Sequence, residues 1–154
     1  MVVRCVQRYD RASKLGDLEN FKQGTDADDA LIFTIGANDV NVIRYISSGR
    51  NLIVGTSGGE FIVSSGTDAA ITPTNILIRK QSNYGSADIQ PVQVANVTLF
   101  VQRAKRKLRE LAYEFDTDSY VAPDLTILAE DVTENGIDEL AYQQEPDSVV
   151  WAVR

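Results

Sequence analysis

Histidine is absent from this sequence. That removes the commonest general base near neutral pH, the commonest zinc ligand and every Ser-His or Cys-His nucleophile arrangement. Cys5 is the single cysteine, so there is neither a disulfide framework nor a Cys-x-x-Cys metal or redox pair. No apolar run approaches the roughly 18 residues of a membrane-crossing helix, and the start, MVVRCVQRYDR, is too short and too charged for a signal peptide. A soluble chain made in the cytosol, with no membrane anchor, is expected. Positive charge is also scarce: 15 Lys and Arg against 22 Asp and Glu leave a net charge of −7. An acidic chain is a poor general nucleic-acid binder, because phosphates are held by cations. The same surface suits a conduit through which DNA slides without sticking, although ordinary solvation explains it equally well. No motif calls for a cofactor, and none is expected.

What the chain does have is 154 residues with 44% hydrophobic content, enough for one ordinary domain. Its organising stretch is Asn51 to Gly66, NLIVGTSGGEFIVSSG. Leu52-Ile53-Val54 reads as a strand covered on both faces, Ser57-Gly58-Gly59 as a tight turn, and Phe61-Ile62-Val63 as the return strand. Similar apolar runs recur at Val97 to Val101 and Ser148 to Val153. The starts lie 46 residues apart (97 − 51) and then 51 apart (148 − 97). A period of about 40 to 50 residues carrying several strands is that of propeller blades. The expected fold is therefore all-β: antiparallel meanders forming part of a β-propeller, about two and a half blades, with few short helices. The units are placed at 30–80, 89–130 and 137–154, the last truncated, so that residues 1–154 form a single domain, a fragment of a larger propeller or one completed by another molecule.

Along the chain, a strand and a structured loop are expected before Asn20, then a strand at Ala30 to Ile35 ended by Gly36-Ala37-Asn38-Asp39. Val40 to Ile46, the central hairpin and Asn75 to Lys80 complete the first meander, with the last as its edge strand. Gln102 to Phe115 is ambiguous. Leu108, Leu111, Ala112 and Phe115 have helical spacing, but the segment occupies the same place in its unit as Glu60 to Ser65, which predicts a hairpin turning near Ala104-Lys105. Asp124 is read as the N-cap of a short helix over Leu125 to Asp131. Trp151 and Tyr142 are read as core.

Few residues offer chemistry. Arg103, Lys105, Arg106, Lys107 and Arg109 are the only basic concentration. They suit a subunit or phosphate contact, with no interleaved aromatic to stack a base, and a solvated hairpin tip or an acidic neighbour such as Glu130-Asp131 or Asp116-Asp118 is the favoured environment. Gly24 to Asp29, GTDADD, lacks the order and the downstream Glu of a calcium loop. Thr56-Ser57-Gly58-Gly59 lacks the Gly-Lys-Ser/Thr of a phosphate loop. Glu110, Glu114, Asp116 and Asp118 supply carboxylates for glycoside hydrolysis only if a cleft sets their separation. No catalytic, cofactor-binding or metal-binding residue is assigned.

The segments LIVGTSGGEFIVSSG, TPTNILIRKQSNYGS, LFVQRAKRKLRELAYEF, YVAPDLTILAEDVTENGI and LAYQQEPDSVVWAVR, preceded by SKLGDLENF, resemble in this order the central β-propeller region of tail hub (nozzle, or tail stabilisation) proteins of short-tailed bacteriophages and prophages. The resemblance covers about Ser13 to Arg154. It implies a non-catalytic virion structural protein, synthesised in the host cytoplasm and built into the tail. It further implies a homo-oligomeric ring of six copies below the portal and its adaptor, through which DNA passes only in transit during ejection. Members of that family are several times longer. The alternative is a propeller-type binding or carbohydrate-active module recognising cell-surface glycans.

Overall fold

A computed structural model describes residues 3–6, 9–35, 42–49, 51–66 and 70–153. The turn expected at Gly36-Ala37-Asn38-Asp39 lies outside the described residues, as do Arg50 and Thr67-Asp68-Ala69. The described residues form thirteen strands: β1 (Val3–Val6), β2 (Tyr9–Ala12), β3 (Leu31–Thr34), β4 (Ile43–Ser48), β5 (Leu52–Thr56), β6 (Gly59–Ser65), β7 (Ile76–Ser82), β8 (Val92–Val94), β9 (Val97–Val101), β10 (Leu108–Glu114), β11 (Ser119–Val121), β12 (Glu139–Gln143) and β13 (Val149–Val153). They make four antiparallel sheets, β1-β2-β3, β4-β5-β6-β7, β8-β9-β10-β11 and β12-β13, in which every neighbour in space is the neighbour in sequence. The protein is all-β, and among the described residues no helix is long and apolar enough to cross a membrane.

The three recurrent apolar runs become β5, β9 and β13, each the second strand of its sheet. Both faces of β5 are covered because alternate side chains enter different cores. Leu52 and Val54 join Phe33, Ile35, Ile43, Phe61 and Val63 between the first sheet and the second. Ile53 and Ile62 instead meet Phe100, Leu111 and Ala122 between the second sheet and the third. A last cluster, Ala87, Ile89, Val101, Ile137 and Leu140, lies between the third sheet and the fourth. The sheets thus stack face to face in chain order, with β7 beside β11 and β8 beside β12.

Four expectations are revised. Leu31–Thr34 pairs with β2 rather than opening the second sheet, and the N-terminal segment supplies a hairpin rather than one strand. The helix expected over Leu125 to Asp131 is a run of turns. Asp124 does bind the Thr126 amide, at 2.9 Å, but the Leu125 amide donates to the Leu108 carbonyl and Arg109 bridges Asp124. That edge contact with β10 holds the start of the segment extended, so a helix cannot propagate from it. Trp151, expected in the core, is 55% exposed on β13. Gln102 to Phe115 resolves as a turn and β10, as its place in the unit predicts. Leu108 to Leu111 gain ladder partners on β9, which a lone amphipathic helix would forgo.

Candidate functional site

The seam between the second and third sheets holds the chain's most unusual side chains. β6 and β7 shift register between Glu60 and Phe61, and β4 and β5 between Ile43 and Tyr45. Such bulges re-aim side chains. Here Glu60 shares the inward face of β6 with Ile62 and is fully buried. Ser82 and Ser86 donate hydroxyl hydrogen bonds to its two carboxylate oxygens, the latter at 2.8 Å. Burial pushes the Glu60 carboxyl above its ordinary range, while the two serines, the nearby Arg109 charge and the Gly85 amide pull it back.

Tyr45 packs in the same seam. Its phenol is raised by burial, and further by the Glu60 charge. Ser86 pulls the other way, yet the Tyr45 hydroxyl has no well-formed hydrogen-bond partner among the described residues. The ring fits only because residue 55 is glycine: a Cβ there would collide with it. From the facing sheet comes Arg109, buried beside Leu111 on the inward face of β10. Its Nε donates to Gln102 Oε1 at 2.8 Å, one terminal nitrogen donates to the Ala122 carbonyl at 2.6 Å, and the guanidinium lies 3.5 Å from the centre of the Tyr84 ring. Glu60 and Arg109 face each other without a direct ion pair, each satisfied by hydrogen bonds of its own. A fully buried carboxyl cannot meet a substrate, so this node acts as a polar lock on sheet stacking.

The lock opens outward into clefts. One, of about 890 Å³, is lined by Gln81, Asn83, Tyr84, Arg109, Glu114 and Tyr120 among others. A second, of about 370 Å³, lies further along the seam against Asn51, Gln93, Asn96, Tyr113 and the other side of Tyr120. Asn51 Nδ2 donates to the Tyr120 hydroxyl at 3.1 Å and the Tyr120 amide donates to Gln81 Oε1, so Tyr120 stands fixed between the two.

The five expected basic residues do not form one patch. Arg109 is buried; Arg103 reaches the Ser57 carbonyl; Lys105 pairs with Asp138 at 2.8 Å; Lys107 pairs with Asp124 at 2.9 Å and Glu130 at 3.3 Å; Arg106 is exposed beside a small cleft with Glu130. The tip backbone is clamped as well, Arg103 to Gly85 and Ile137 to Lys105. Glu130, foreseen as an acidic partner in a subunit contact, pairs with Lys107 within one chain. The Asp124 carboxyl is pushed up by burial, but Lys107 and Thr126 outweigh this and hold it below its ordinary range.

Asp26, Asp28 and Asp29 cluster at the surface, where Lys14 bridges Asp28 at 3.2 Å and Asp29 at 3.1 Å. The Thr56 hydroxyl donates to the Gly59 carbonyl at 2.6 Å and accepts from the Gly58 amide, closing a hairpin turn around the backbone that a phosphate loop would offer. Glu114 accepts from Thr117 and Asp118 from Tyr113, each within its own turn. Sequence reasoning missed Glu60, and it placed Arg109 in a basic tip rather than in the buried seam. For Glu60 the signal was a lone charge beside the apolar run of GEFIVSS; LRELAYE carries Arg109, Glu110 and Glu114, and nothing in it singles out the one that is buried. A scan against protein-family models finds no match, and a search of the curated proteins finds none either.

Proposed function

We propose that this chain is a non-catalytic structural subunit of a bacteriophage tail hub, its stacked sheets serving as blades in a ring around a DNA conduit. The observation that carries the reading is the end of the stack. Two successive four-stranded meanders are followed by a two-stranded sheet whose second strand presents Val149, Trp151 and Val153 to solvent. An apolar strand at a sheet edge invites a neighbour to add strands or cover its face. Other features agree. First strands β8 and β12 lie side by side, as do last strands β7 and β11, a pairing of like strands that suits blades. The buried Glu60 carboxyl lies inside the seam, and the net charge of −7 suits a wall that DNA must pass without adhering. The five segments quoted above supply the family resemblance.

Electron microscopy of the purified chain tests this. Closed rings with a central channel are the expected result. Particles of single-chain size at every concentration would refute it.

A further inference from the structure

Along the seam the surface is neither apolar nor strongly charged; tyrosines alternate with side-chain amides. Tyr84 is 42% exposed, Arg109 lies against one of its faces, and both residues line the larger cleft. An aromatic ring held flat by a stacked guanidinium is a rigid platform that loses little entropy on binding. Asn83 stands exposed beside it and makes no side-chain hydrogen bond among the described residues, while Gln81 uses its oxygen on the Tyr120 amide and leaves its NH2 group. Past Tyr120, Asn51, Gln93 and Asn96 line the smaller cleft.

We propose that this groove is a binding site for a neutral oligosaccharide. A pyranose offers an apolar face of C–H groups to stack on an aromatic ring and a rim of hydroxyls that both donate and accept. Amides match that rim because each carries donors and an acceptor. The clefts together offer room for more than one sugar, since small-ligand sites run from about 300 to 1,000 Å³. The exposed Glu114 carboxylate in the lining disfavours an anionic sugar, and Arg109 is already turned to Gln102 and Ala122. The role is a ligand contact added to a structural subunit. It needs no ring, because every residue invoked belongs to one chain.

Saturation-transfer NMR on the full chain tests it, with maltotriose, chitobiose and methyl β-galactoside as neutral probes and sialyllactose as the anionic one. At least one neutral probe should receive transfer, strongest at the ring protons of one sugar face. Tyr84→Trp should keep that signal and Tyr84→Ala abolish it. Asn83→Ala, an exposed change remote from the core, should weaken affinity about five- to tenfold, the loss of one hydrogen bond. If Tyr84→Ala fails to fold, Asn83→Ala and Tyr84→Trp still decide. No transfer to any neutral probe, transfer to sialyllactose alone, or affinity unchanged in folded Tyr84→Ala or in Asn83→Ala would overturn the assignment. Sedimentation of the same samples reports the oligomer separately, so loss of sugar binding and absence of a ring are distinguishable.

Discussion

Glu60 shows what a single residue can set. Its carboxyl sits above the ordinary range because the charged form is desolvated. A raised folded-state value means that the group's favourable contribution is present in full below the unfolded-state value near 4.5 and is lost as pH rises through the folded-state value. Asp29 and Asp124 behave oppositely: Lys14 holds Asp29 down, Lys107 and Thr126 hold Asp124 down, and both lose their contribution only as pH falls below about 3.8. Between neutrality and the mid-4s, Glu60 therefore has its own window. Glu60→Gln keeps the hydrogen-bonding shape without the charge, so its stability relative to wild type should be highest at neutral pH and decline as pH falls toward 4.5. Chemical denaturation at several pH values reads this, and a constant difference would contradict it. Gly55→Ala is a second test at this scale. A Cβ pressing on the Tyr45 ring should cost about 1–3 kcal/mol, as overpacking does, and truncating Tyr45 in the same chain should recover part of it.

At the scale of the element, β5, β9 and β13 were legible because an unbroken apolar run between turn residues says strand whichever sheet it enters. β10 was harder, because Leu108, Leu111, Ala112 and Phe115 fit a helix locally. The deciding pairing with β9 is a tertiary fact, and only the repeat pointed to it. Leu125 to Asp131 misled in the other direction: the capping carboxylate is real, but a hydrogen bond from Leu125 to β10 overrides it. The meeting of Glu60 and Arg109 could not be read, although each charge is visible in its strand, since nothing in either strand says which faces will stack. Burial predicts unequal stability among these elements. Phe100 is fully buried where the second and third sheets meet, so Phe100→Ala should cost about 3–5 kcal/mol in denaturant unfolding. β13 has one partner strand and an exposed face, so its amides should exchange with solvent much faster than those of β9 in the isolated chain. Equal protection of the two would show that β13 is covered in a way the single chain does not provide.

At the scale of the molecule, the sheets stack in chain order, the two middle ones packed against a neighbour on either side, while β13 in the last keeps exposed apolar side chains. Buried contacts within the stack account for its cohesion. Exposed ion pairs such as Lys105–Asp138 add at most about 1 kcal/mol each. A ring of copies would close what the stack leaves open, with a heterologous contact repeated until it meets itself. Trp151 lies in the strand that such a contact would cover, so it reports directly on the claim. Sedimentation velocity at tens of micromolar, alongside Trp151 fluorescence, is the decisive measurement. A discrete species several times the 17.0 kDa of one chain is expected, with blue-shifted emission, reduced to monomer by Trp151→Ser. A single 17.0 kDa species at all concentrations, with emission unchanged on dilution, would contradict it.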